Sequence, residues 1–158
     1  TNNLYKKMED VELILRFFAL RHADEFRNVM KGFLDLYMMK SLDFSEQDID
    51  ILENIFLDTI NLAGQIYEDK LFKPFDVKSD KWKDRAYKEY YDAVMVGFSR
   101  HLNDADLLIE KKHRVIEETK TLLSKDKTRI FTGSGKAKAD IQNRIQLFDD
   151  MLTEIIAE

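Results

Sequence analysis

The chain contains no cysteine, one proline and five glycines among its 158 residues. Without cysteine there is no disulfide and no thiolate metal site. Three scattered histidines, His22, His101 and His113, offer no spacing suited to a histidine-rich metal centre, so no cofactor is expected. The absence of cysteine also suits a reducing cytoplasm, the expected location. Scarce proline and glycine leave long stretches with no backbone punctuation, which favours helices. No apolar run approaches the roughly 18–20 residues needed to span a bilayer, so no membrane partner is expected. The opening Thr-Asn-Asn-Leu-Tyr-Lys-Lys-Met lacks the apolar core of a signal peptide. It also begins without Met, which fits a fragment of a longer protein.

What is present is a soluble composition, 44% apolar and 35% charged. A chain of this length suits one core better than two, so residues 1–158 are expected to form a single domain. The net charge of −5 hides a marked asymmetry. Ser41 to Asp69 carries eight acidic residues and no Lys or Arg, a charge of −8. Lys111 to Lys138 carries nine basic residues against Glu117, Glu118 and Asp126, a charge of +6.

Apolar periodicity predicts an all-α fold, an irregular bundle of about six helices. Val11, Ile14, Leu15 and Phe18 form the stripe of a first helix over Glu9–Leu20, buried on most sides. Its one charged interior residue, Arg16, follows Glu12 by four positions, a favourable order for a surface pair. A second helix is predicted near Asp24–Lys40, and a third after Ser45-Glu46-Gln47-Asp48, which reads as a weak capping box. Leu71–Lys83 holds Pro74 and reads as a loop. A fourth helix carries Tyr87, Tyr91, Val94, Phe98 and Leu102. After Asn103-Asp104 a charged helix runs to about Ser124; its sparse apolar positions, Leu108, Val115 and Leu122, place it on the surface. The last helix spans about Ala137–Ala157. No strand-like alternation is present.

Several catalytic patterns fail on spacing. Gly133-Ser134-Gly135-Lys136-Ala137 suggests a phosphate loop, but that pattern needs Gly at position 130 and Ser or Thr at position 137, where Ile and Ala stand. Glu118-Thr119-Lys120 has the spacing of a metal-dependent nuclease, yet on a helix it turns Glu and Lys to different faces. Arg16, Arg21 and His22 miss the five-residue Arg/His spacing of helical ribonucleases. Tyr87, Tyr90, Tyr91 and Phe98 could stack bases, but the same spacing makes a core stripe, with Tyr90 the most exposed. No catalytic residue is assigned, and the chain is not expected to be an enzyme by itself.

Lys125, Lys127, Arg129, Lys136 and Lys138 sit in or beside a loop centred on Gly133-Ser134-Gly135. Long cations there could contact the DNA backbone without fixed geometry. Alternatively, the tract faces the acidic third helix and the two charges cancel within the fold.

The run Met8-Glu9-Asp10-Val11-Glu12-Leu13-Ile14-Leu15-Arg16-Phe17-Phe18-Ala19-Leu20 resembles a segment of the GmrSD-type restriction proteins, which join a ParB-like N-terminal core to a helical region. The family pattern Asp-x-Glu-Leu-x-Leu-Arg-Phe-x-Ala matches there. Looser likeness follows at Phe33-Leu34-Asp35-Leu36-Tyr37-Met38, at Asp92 to Ser99, and at the Gly-Ser-Gly loop with Arg144-Ile145. The Asp-Gly-Gln-Gln-Arg segment associated with the family's nucleotide-dependent nuclease chemistry is absent, as is an HNH-type histidine set. The resemblance implies the helical accessory region of a bacterial anti-phage DNA-restriction protein, partnered by the N-terminal catalytic core of the same polypeptide. Arg16 would then contact a carboxylate of that core, because a guanidinium on an apolar helix needs a partner. The competing reading is a stand-alone protein-interaction module with an acidic face.

Overall fold

A computed structural model describes residues 2–27 and 29–158, with side chains from residue 9 onward. The side chain of Met8, which opens the resembling run, lies outside the described residues, as does Asn28 of the expected second helix. The described residues form seven α-helices and one short hairpin. These are α1 (Asn2–Leu20), α2 (Met30–Ser41), α3 (Glu46–Tyr67), β1 (Phe75–Asp76), β2 (Lys81–Trp82), α4 (Lys88–Ser99), α5 (Ala105–Glu110), α6 (Lys112–Ser124) and α7 (Lys138–Ala157). The all-α expectation therefore holds.

The centre of the bundle is α4, which packs most extensively on α7 and then on α3 and α1. Its run Tyr90 to Phe98 is buried throughout, as expected of a helix that is apolar on all sides. Gly97 permits the α4–α7 approach, since a Cβ there would lie 2.6 Å from Cδ1 of the buried Phe148 ring. One apolar cluster joins α3, α4, α6 and α7 around Tyr67, Phe98, Phe148 and Leu152. A second joins α1, α2, α4 and α7 around Phe17, Phe26, Met95 and Ile145.

Four local departures have physical causes. The second helix starts at Met30 because Ala23–Glu25 makes only a 3-10 turn, after which Phe26 adopts extended backbone. That break lets Phe26 bury completely, 5.1 Å edge-on from Phe33. The charged segment after Asp104 is two helices, interrupted at Lys111, whose ammonium donates to the Ile155 carbonyl near the end of α7 (3.0 Å). A cation suits that helix end. Nor is the segment a surface helix, because Leu108, Val115 and Thr119 are fully buried. Finally, the Pro74 loop contains the antiparallel pairs Phe75–Trp82 and Asp76–Lys81, where no strand was expected. Two-residue strands are too short for alternation to register; the Phe75–Trp82 edge contact (5.2 Å) holds the pair instead.

The capping box at the start of α3 is complete. Asp48 N donates to the Ser45 hydroxyl (3.1 Å), and Ser45 N donates to the Asp48 carboxylate (2.9 Å).

Candidate functional site

Arg16 is the single charge in the run Leu13–Leu20 of α1 and Asp92 the single charge in the run Tyr90–Ser99 of α4, and the fold brings them together. Arg16 of α1 donates from Nε to Oδ1 of Asp92 in α4 (3.1 Å), and its Nη2 donates to Oδ2. Asp92 is completely buried and Arg16 nearly so. Burial pushes the Asp92 carboxyl above its ordinary range, opposed chiefly by Arg16 and at longer range by Arg144 of α7. The carboxylate expected for Arg16 across a junction is thus found within the fold, at Asp92. Beside this pair, Tyr91 Oη donates to the Leu13 carbonyl (2.7 Å) and Lys88 reaches Glu12 (3.4 Å). Together these contacts pin α1 to α4.

Two further polar clusters lie away from this pair. His101 and Asp149 are in contact (2.5 Å), and Thr153 Oγ1 lies 3.4 Å from the same imidazole nitrogen, Nε2. A relay from carboxylate to hydroxyl would need one partner on each ring nitrogen. Thr119, the centre of the nuclease-like spacing, gives its proton to the Val115 carbonyl (2.7 Å) and so accepts from buried Tyr67 (2.7 Å). Tyr90 is buried rather than exposed, and its hydroxyl has no hydrogen-bond partner. Burial raises its pKa well above the ordinary phenol range. Among the described residues, no group of three or more His, Asp or Glu is placed to hold a metal ion.

Two surface features are better candidates. The first is an open groove of about 640 Å³ between α1, α2 and α3. Val11, Ile14, Leu15 and Phe18 line one wall, Tyr37 and Met38 the second, and Ile49, Leu52 and Phe56 the third. The stripe expected to bury the first helix thus stays partly uncovered, with Val11 60% exposed. Glu46, Asp48, Asp50 and Glu53 of α3 are exposed along this part of the helix, as are Glu9 and Asp10 of α1.

The second is a cleft, also of about 640 Å³, between the β1–β2 hairpin and the loop after α6. Of the five expected DNA-contacting cations, Lys127 and Arg129 line it, and Lys125, Lys136 and Lys138 do not, although all five are exposed. Lys78 and Lys83 of the hairpin line the opposite wall. Sequence reasoning missed these two because only the hairpin brings residues 78 and 83 beside residues 127–129. Of the basic tract, Lys112 pairs with Glu68, the residue just after α3 (3.1 Å). None of the five loop cations forms a salt bridge among the described residues.

No protein-family model, curated protein or solved structure matches the chain. No helix among the described residues is long and apolar enough to cross a membrane.

Proposed function

We propose that this chain is a non-catalytic docking module that receives the apolar face of a basic amphipathic helix in the groove between α1, α2 and α3. The observation that supports it is uncovered apolar surface with Glu53 in its lining and the exposed acids Glu46, Asp48 and Asp50 on the same helix, α3. Met38 and Ile49 keep 52% and 51% of their surface exposed, and Leu57 is exposed beside them. Such a patch is covered by the apolar stripe of a partner helix. Glu53 and the neighbouring acids of α3 favour Lys and Arg flanking that stripe and disfavour an acidic helix.

The resemblance to GmrSD-type proteins supplies a setting for this reading. In that setting the chain is the cytoplasmic helical accessory region of a bacterial DNA-restriction protein, and the docked helix belongs to the nuclease core of the same polypeptide. Val11, Ile14, Leu15 and Phe18 lie both in the resembling run and in the groove. Contact with the core then passes through these side chains and not through Arg16. An upstream coding sequence containing Asp-Gly-Gln-Gln-Arg would support the setting. A start codon at residue 1 would leave a stand-alone module using the same groove.

The test is a fluorescence titration with two labelled amphipathic helices, one built from Leu and Lys, the other from Leu and Glu. The Lys helix should bind saturably and more weakly as salt rises, and the Glu helix should not bind. A protein carrying Val11→Ser and Ile49→Ser should lose the interaction. Equal binding of the two helices, or full binding by that variant, would overturn the reading.

A further inference from the structure

The cleft opposite the hairpin is a second site with different chemistry. Each of its two walls is held in place by its own hydrogen bonds and by core contacts. On the loop side, the Asp126 carboxylate accepts from Ile130 N (3.0 Å) and Phe131 N (3.1 Å), and both side chains are buried in the core. The next turn is closed by Thr132 N and Ser134 N, each 3.1 Å from the Arg129 carbonyl. Arg144, buried on α7, donates to the carbonyls of Ser134 and Gly135. The loop is therefore an anchored wall, not the flexible linker its glycines suggest. On the other side, the hairpin is closed by the Phe75–Trp82 contact and by Lys83 N donating to the Pro74 carbonyl (2.8 Å). The Asp76 carboxylate accepts from Lys78 N (3.2 Å) and the Ser79 hydroxyl (2.9 Å).

Both acids lining the cleft are thus engaged in shaping its walls, while its four cations project from those walls. Lys78, Lys83, Lys127 and Arg129 have no salt-bridge partner among the described residues. Arg129 also holds left-handed backbone (φ 55°), which disfavours any residue with a Cβ.

We propose that the cleft between the β1–β2 hairpin and the loop at residues 126–132 binds the phosphodiester backbone of a nucleic acid, with Lys78 and Lys83 on one side and Lys127 and Arg129 on the other. A single small phosphate would call for converging backbone amides and a fixed bidentate cation. Here the donors are long, mobile and spread over two facing elements, which suits a repeating anion that contacts them in several registers. The site is independent of the α1–α3 groove and shares no lining residue with it.

The experiment measures binding of a fluorescein-labelled oligothymidine and of a labelled duplex, each across a salt series, to the intact chain. Three variants of equal charge change are compared: Lys78→Gln/Lys83→Gln, Lys127→Gln/Arg129→Gln and Lys136→Gln/Lys138→Gln. The first two should each weaken binding about tenfold in low salt and reduce the salt slope by about 1.4 on the single strand or about 1.8 on the duplex. The third should change affinity much less, and all three should melt as the wild type does. Whichever probe binds more tightly identifies the physical form of the backbone recognised. Hairpin variants with wild-type affinity, equal losses in all three variants, or no binding of either probe would each overturn the proposal.

Discussion

Two openings of the molecule are equal in size and differ in charge. The groove between α1, α2 and α3 and the cleft between the hairpin and the loop after α6 are each about 640 Å³. The groove is apolar because the stripes on α1 and α3 are wider than the contact the two helices make with each other. The cleft is the more polar of the two because its loop turns Ile130 and Phe131 into the core and leaves its cations outside. Charge that is segregated along the chain is only partly segregated in space: Glu53 of the acidic segment lines the groove and two cations of the basic segment line the cleft, while Lys112 and Glu68 pair across the two segments. The difference teaches that net charge is a poor guide here, since a chain of net charge −5 carries a surface suited to an anion.

The largest effect should come from the pin beneath the groove. Asp92→Ala leaves Arg16 buried without its carboxylate and should cost about 3–5 kcal/mol in denaturant unfolding. Arg16→Met combined with Asp92→Leu should recover most of that loss, because an apolar pair removes both desolvated charges. A lone Asp92 change as mild as the double change would show that the ion pair does not hold α1.

Next is Gly97→Ala, which pushes a methyl group into the packed Phe148 ring and should cost about 1–3 kcal/mol. Calorimetry that finds this variant as stable as the parent would place slack where the structure has contact. By contrast, the Val11→Ser/Ile49→Ser and Lys78→Gln/Lys83→Gln proteins should stay within about 0.5 kcal/mol of the parent per site, since these side chains are largely outside the core. A large loss in either would mean that the surface serves folding before binding.

The smallest effect concerns the capping box of α3. The Asp48 carboxyl is held below its ordinary range by the Ser45 amide and hydroxyl. A lowered folded-state pKa means that its stabilisation is fully present above the ordinary carboxylate pKa and is lost as pH falls through the lowered value. Carbon-detected titration of Asp48 should show the depression, and Ser45→Ala should reduce it.

Much of the helical frame was legible because it depends on local rules. The Ser45–Asp48 box and the stripe of α7 are set by residues three or four apart, and they stand where periodicity places them. What could not be read depends on residues far apart in the chain. Arg16 and Asp92 are 76 positions apart, so an i to i+4 rule finds only the weaker 3.9 Å approach to Glu12. A usable signal did exist: each is the single charge in an apolar helical run, and two such charges of opposite sign are best satisfied by each other. Lys78 and Lys83 had no comparable signal, because a two-residue hairpin is set by one aromatic pair. Tyr90 was misplaced because α4 is buried on all faces, where a stripe argument assumes one exposed face.

The most direct test of the two-surface account is backbone amide NMR of one labelled sample titrated first with the Leu/Lys helix and then with the oligothymidine. The account predicts that the helix shifts residues of α1, α2 and α3 around Val11, Met38 and Ile49. The oligonucleotide should then shift residues around Lys78, Lys83, Lys127 and Arg129 without displacing the helix. Shifts by both ligands at one shared surface, or displacement of the helix by the oligonucleotide, would contradict it.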